Sequence, residues 1–201
     1  MKPEKDSYNL IITGVGGQGN VLCSQLIGQA FVRKGFFATI GETYGASQRG
    51  GSVMSHIRLS SKKQLSPLIS KGRADIVVAL EPVEALRVLT QYGNPETVVI
   101  VNTRPIYPVD VISGNEAYPD FAAIEKSLAA LSRRVYYVAA TDRAMDMGSP
   151  ILGNMIMIGA LLAVNLLPLS PEEFCRTLSE NFSGPRLETN LKALEQGAKM
   201  I

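Results

Sequence analysis

Short apolar runs, each closed by glycine, proline or a polar cluster, alternate along this chain with longer stretches of helical period. Residues 8–13 (YNLIIT) predict a buried first strand. A glycine turn over 14–19 follows, and then 20–34 carries Val21, Leu22, Leu26, Ile27, Ala30 and Phe31 at helical spacing, stopped by Gly35. Residues 37–40 predict a second strand, and 41–52 a polar, glycine-rich loop. From 53 to 60, Val53, Ser55, Ile57 and Leu59 alternate with Met54, His56 and Arg58, which predicts a strand with two unlike faces. Further buried strands are expected over 74–80, 97–102 and 135–139, with helices over 82–89 and 120–131. Three prolines between 103 and 119 mark that stretch as mostly loop. Ser170, Pro171, Glu172 and Glu173 open another helix with a serine cap, proline in the first turn and acids at the positive end. A last helix is expected over 187–200.

Alternating strands and helices with short connections imply an α/β, Rossmann-like, mostly parallel sheet with helices on both faces. Residues 53–69 are the expected departure from regular winding. No repeat or linker divides the chain, so 1–201 reads as a single domain.

The segment 147–171 carries no charged side chain. Pro150 and Pro168 bracket a stretch too short for an ordinary membrane crossing. A helix buried between the sheet and another subunit is expected there, its glycines permitting close approach. Twenty basic against 18 acidic residues leave a net charge of +2, too small to imply nucleic acid or an acidic membrane surface. Two cysteines, Cys23 and Cys175, are too few for an iron–sulfur cluster, and one histidine, His56, leaves a metal site poorly supplied. The polar start MKPEKDSYN has no secretory pattern, so a cytoplasmic protein is expected.

Chemistry concentrates in two glycine-rich stretches. Gly14-Val15-Gly16-Gly17-Gln18-Gly19 fits G-x-G-x-x-G between a strand and a helix. In that pattern Gly14 would take positive φ in the turn, Gly16 would let a ligand approach the backbone, and Gly19 would let the helix sit close to its strand. Unpaired amides at the helix start would face an anion. Glu42 stands roughly where a dinucleotide fold places its ribose-binding acid. The loop that follows Glu42 differs from ordinary nicotinamide enzymes, bringing Ser47, Gln48, Arg49 and the amides of Gly50 and Gly51 toward the strand ends. Those groups suit a phosphate or carboxylate, with Arg49 supplying charge and forked donors. Two plainer readings stay open: Arg49 in an ion pair with Glu42 or Glu81, and a tight turn that holds no ligand or is filled by a partner chain.

GVGGQGN at 14–20, GETYGASQRGGSVMSHIR at 41–58 and GRADIVVALEPVEALR at 72–87 together resemble the gamma-type domain of the 2-oxoacid:ferredoxin oxidoreductases, and within that family the beta subunit of the indolepyruvate enzymes. The likeness spans most of 8–160. It implies an assembly that decarboxylates a 2-oxoacid on thiamine diphosphate with Mg²⁺, passes electrons through iron–sulfur clusters to ferredoxin and gives the acyl group to coenzyme A. This sequence has neither a GDG…N-type thiamine diphosphate motif nor a ferredoxin-like cysteine run. The resemblance therefore implies a larger catalytic subunit carrying those groups, with this chain inert alone. Gly14, Gly16, Gly17, Gln18, Gly19, Glu42, Ser47, Gln48 and Arg49 are the candidate cofactor-binding residues, as a crevice that holds coenzyme A phosphates or closes over the thiamine site. No residue stands out as catalytic.

His56, Glu81, Asn102-Thr103-Arg104 and Thr141-Asp142-Arg143 lie on or just after strands, where the plainer expectation is structural. Two rival readings remain: a free-standing NAD- or flavin-binding oxidoreductase, and a regulatory or interaction module with an empty turn.

Overall fold

A computed structural model describes residues 6–44 and 51–201. In chain order the elements are β1 (Ser7–Val15), α1 (Asn20–Arg33), β2 (Phe37–Tyr44), β3 (Ser52–Ser60), β4 (Ile76–Ala79), α2 (Pro82–Tyr92), β5 (Val98–Asn102), α3 (Val109–Ile112), α4 (Phe121–Leu131), β6 (Arg134–Val138), α5 (Ala140–Asp146), a 3-10 turn (Pro150–Leu152), α6 (Gly153–Ala163), α7 (Pro171–Asn181) and α8 (Gly184–Ala198).

Among the described residues the strands form one sheet in the order β2-β3-β1-β4-β5-β6. The pairs β1·β4, β4·β5 and β5·β6 are parallel, whereas β3 runs antiparallel between β2 and β1. The reversed strand is the departure expected near 53–69. It also lengthens its neighbours: Gly14 and Val15 pair with Val53 and Ser52, and Gly41 to Tyr44 pair with His56 back to Val53. Strand pairing therefore extends into both glycine-rich stretches that read as turn and loop.

Alternation along each strand sends side chains to two separate cores. Leu10, Ile12, Ile57, Val78, Ile100 and Val138 pack under α1, α6, α7 and α8. Ile11, Val77, Ala79, Val99 and Val101 pack under α2 and α4. Helices thus cover both faces.

The uncharged segment becomes α6, whose residues Gly153 to Leu162 are all buried. Its cover comes from α8 of the same chain, which corrects the expectation of another subunit. The two backbones touch where they cross: a Cβ on Gly159 would lie 2.0 Å from the Leu194 carbonyl oxygen, and one on Gly197 1.8 Å from that of Ile156. Glycine at both positions is the condition for that contact. No helix among the described residues is long and apolar enough to cross a membrane. At α7 the expected start is a full capping box, Ser170 Oγ accepting from Glu173 N while the Glu173 carboxylate accepts from Ser170 N.

Candidate functional site

After β1 the chain runs through α1 to β2 on one side of the sheet, and after β3 it resumes at β4 on the other. The carboxyl ends of β1 and β4 are therefore the switch point, where connections diverge and leave a crevice. The glycine turn sits there, fixed by one side chain. Gln18 Oε1 accepts from Val15 N at 2.7 Å, and Gln18 Nε2 donates to the Leu80 carbonyl at 2.8 Å. The carboxamide so ties the end of β1 to the end of β4 and is spent on the protein itself.

The glycines divide the work differently from expectation. Gly14 is a strand residue, and positive φ falls at Gly17 (103°) and Gly19 (89°) instead. Gly14 is needed for space: a Cβ there would meet Gln18 Oε1 at 2.5 Å and Leu80 Cβ at 3.0 Å. A Cβ on Gly19 would lie 2.3 Å from Asn154 Nδ2, so Gly19 makes room for the start of α6 rather than for its own strand.

The amides of the turn are only partly used. Gly16 N donates to the Gly51 carbonyl at 2.9 Å, joining the turn to the near end of the second loop, and Gln18 N donates to Val15 at 3.2 Å. Among the described residues, the amides of Gly17, Gly19, Asn20, Val21 and Leu22 donate to no carbonyl. Helix α1 begins on Gly19 with no side-chain cap and no acid in its first turn. Its partial positive charge therefore opens into the crevice. Asn20 Nδ2 reaches the Val53 carbonyl at 3.0 Å, and its Oδ1 is buried with no partner.

Of the other candidates, Ser47, Gln48 and Arg49 lie outside the described residues. Glu42 is not brought to the turn. Because β3 intervenes, it stands two strands from β1, about 10 Å at ordinary strand spacing, and it accepts from Ser24 Oγ at 3.0 Å. The inserted strand thus removes Glu42 from the place a ribose-binding acid occupies in a fold whose first two strands are neighbours.

Cavities flank the turn. One of about 280 Å³ runs along the ends of β4 and β5 and includes Gly17, Gln18, Asn102, Arg104, Thr141 and Asn154 in its wall. Another of about 530 Å³ follows Val15 to Gly17, Gly19 to Val21 and Val53. In the first, Asn102 Nδ2 donates to the Leu80 carbonyl at 3.1 Å and to Thr141 Oγ at 2.9 Å, while Oδ1 accepts from Thr141 N at 3.2 Å. Asn102 and Thr141 therefore knot the ends of β4, β5 and α5 together. Arg104 pairs with Asp142 at 2.9 Å on the rim, and Arg143 turns away to Gln196 of α8.

Buried acids stand behind the switch point. Glu81 follows β4, caps α2 by accepting from Glu84 N at 2.9 Å, and accepts the Tyr118 hydroxyl. Burial pushes its carboxyl above the usual range, and burial together with Glu81 pushes the Tyr118 hydroxyl up. Glu84, also buried, takes Ser52 Oγ at 2.5 Å and Arg87 at 3.0 Å. His56 is buried edge-on to Tyr92, with Nδ1 facing Ile69 N at 3.4 Å, and burial lowers its pKa. That describes a neutral core histidine. The Cys23 thiol is pushed up to about 12 by full burial. Among the described residues no group of three or more His, Cys, Asp or Glu is placed to hold a metal.

Two residues of this edge escaped the sequence reading. Tyr118 was hidden in the proline-rich stretch. Asn154 was absorbed into an apolar helix, although a lone carboxamide just inside such a run is the signal that could have exposed it.

Comparison with known proteins gives a consistent result. Residues 9–200 match the family model described as pyruvate ferredoxin/flavodoxin oxidoreductase. The chain is 38% identical over 189 residues to the indolepyruvate oxidoreductase subunit IorB of Archaeoglobus fulgidus, covering 94% of this chain and 92% of that protein. The fold is shared with a 2-oxoglutarate:ferredoxin oxidoreductase of Magnetococcus marinus, solved with 2-oxoglutarate, coenzyme A and succinyl-CoA bound, at a TM-score of 0.76 and 24% identity over 98% of this chain and 31% of that one. It is shared also with the pyruvate oxidoreductase subunit PORC of Thermotoga maritima, at 0.72 and 21% over 97% of each.

Proposed function

Because this chain belongs to the pyruvate ferredoxin/flavodoxin oxidoreductase family, we propose that it is the cluster-free subunit of a 2-oxoacid:ferredoxin oxidoreductase acting on indolepyruvate or a related arylpyruvate. As one domain over 1–201, it works with a larger catalytic subunit that carries thiamine diphosphate, Mg²⁺ and the iron–sulfur clusters. Ferredoxin meets the complex through that partner. The sequence supports this division, since its two cysteines, Cys23 on α1 and Cys175 on α7, are fewer than the four thiolates a cluster usually takes. The indolepyruvate assignment rests on the likeness to the subunit IorB across nearly the whole chain.

This chain's own part is to hold the anionic end of coenzyme A, the thiol that accepts the acyl group. The observation that carries this reading is the row of amides at Gly17, Gly19 and the first turn of α1, which among the described residues donate to no carbonyl and open on the switch-point crevice. Gln18 keeps that row in shape by pinning the strand ends, and Gly14, Gly17 and Gly19 supply the space and backbone angles it needs. Ser47, Gln48 and Arg49, outside the described residues, are the sequence candidates for added side-chain donors and charge.

The test is reconstitution. The purified chain should show no turnover with indolepyruvate, coenzyme A and ferredoxin, whereas co-expression with its larger partner should give acyl-CoA and reduced ferredoxin. A complex that turns over fully without this chain would refute the reading. Micromolar NAD binding by the chain alone would favour the free-standing oxidoreductase.

A further inference from the structure

One polar group at the crevice has no use in the fold. Asn154, the second residue of α6, is 5% exposed, and among the described residues nothing accepts from or donates to its carboxamide. Its carbonyl oxygen on the main chain faces Cys23 Sγ at 3.9 Å, which leaves the side chain uncommitted. Its amide nitrogen lies against Gly19, so close that any Cβ on Gly19 would collide with it. Asn154 also lines the 280 Å³ cavity beside the glycine turn. The carboxamide is not sealed off from the cavity, so it is open to whatever enters there, where two helices begin.

Both helix starts lack a side-chain cap and have no acid in the first turn. Among the described residues no carboxylate lines the cavity, and Arg104 is the one charged residue of its wall. The other polar side chains of the wall are engaged: Gln18 with Val15 and Leu80, Asn102 with Leu80 and Thr141, and Arg104 with Asp142. Ile106, Ile151 and Met157 complete an apolar floor.

We propose that Asn154 is a phosphate-binding residue, whose Nδ2 donates to an oxygen of the diphosphate of coenzyme A where the N-termini of α1 and α6 meet. The proposal rests on the reading of the crevice given above and adds a second wall to it. Gly19 is then required twice, for its backbone angle and to leave the space the Asn154 carboxamide fills. The same diphosphate chemistry occurs in ADP, so ADP and inorganic pyrophosphate serve as probes that lack the pantetheine arm.

The experiment uses the assembled complex with Asn154→Asp and Asn154→Leu. Because the carboxamide has no partner among the described residues, Asn154→Leu should fold with a melting temperature close to that of the parent. Coenzyme A affinity, measured by calorimetry and as KM, should weaken about 10-fold in Asn154→Leu and by more in Asn154→Asp. ADP and pyrophosphate should weaken in parallel, while the KM for the 2-oxoacid stays unchanged. Coenzyme A binding within twofold of the parent in both variants overturns the proposal. If Arg49→Ala weakens coenzyme A in that same case, the crevice reading survives without Asn154; if Arg49→Ala is also silent, both fall. Loss of coenzyme A affinity with ADP and pyrophosphate unaffected would overturn the diphosphate assignment.

Discussion

Gln18→Glu changes one atom of the side chain that ties β1 to β4. The variant keeps an oxygen to accept from Val15 N. At Leu80 it replaces an N–H···O hydrogen bond of 2.8 Å with a carboxylate oxygen facing a carbonyl oxygen. The lost bond costs about 1 kcal/mol, and the unpaired, part-buried charge adds about 1–3 kcal/mol. A net loss of about 3 kcal/mol corresponds to a melting temperature lower by roughly 6–12 °C in a chain of this length. Protonation offers an escape, because a neutral carboxyl donates to Leu80 as the amide does. The pKa of the introduced carboxyl should therefore lie above its unfolded value of about 4.3. An acid raised in this way binds its proton more tightly when folded, so stability falls as pH rises from the unfolded pKa through the folded one. Thermal unfolding of parent and variant at pH 5 and pH 8 reads the difference. The deficit should be large at pH 8 and shrink toward pH 5, and a pH-independent deficit, or none, would refute the pin.

Gly159→Ala forces a Cβ against the backbone of α8 and should cost about 3 kcal/mol or more, whereas Gly153→Ala, with its nearest contact at 3.8 Å, should be near neutral in urea unfolding. Tyr118→Phe removes the hydroxyl that Glu81 accepts, costing about 1–3 kcal/mol. The Glu81 carboxyl, already raised by burial, rises further, so the deficit should be smaller at pH 5 than at pH 8; equal deficits would mean that Glu81 does not feel that hydroxyl. Arg49→Ala in the complex should raise the KM for coenzyme A and leave that for the 2-oxoacid unchanged, as steady-state kinetics will report.

The fold was legible because burial on both faces of a parallel strand leaves an unbroken apolar run. ADIVVAL and TVVIVN each led to a strand. Helix ends were legible where chemistry marks them, as at Gly35, whose φ is 81°, and at Ser170. The site was harder to read, because the glycine pattern names the turn without saying which glycine does what. The actual distribution depends on contacts distant in sequence: Leu80 crowds Gly14, and Asn154 crowds Gly19. Glu42 was misleading for a topological reason, since only sheet order reveals that β3 separates it from β1. The cover of α6 by α8 was also hidden, because Gly159 and Gly197 gain meaning only once the two helices cross.

Amide hydrogen exchange of the assembled complex, with and without coenzyme A, tests the central claim most directly. Among the described residues the amides of Gly17, Gly19 and the first turn of α1 make no backbone hydrogen bond, and they should exchange quickly until a bound phosphate protects them. Slowed exchange over 16–22 on adding coenzyme A, with α8 unchanged, is the predicted result. Protection elsewhere in the complex while 16–22 exchanges at its original rate would contradict it.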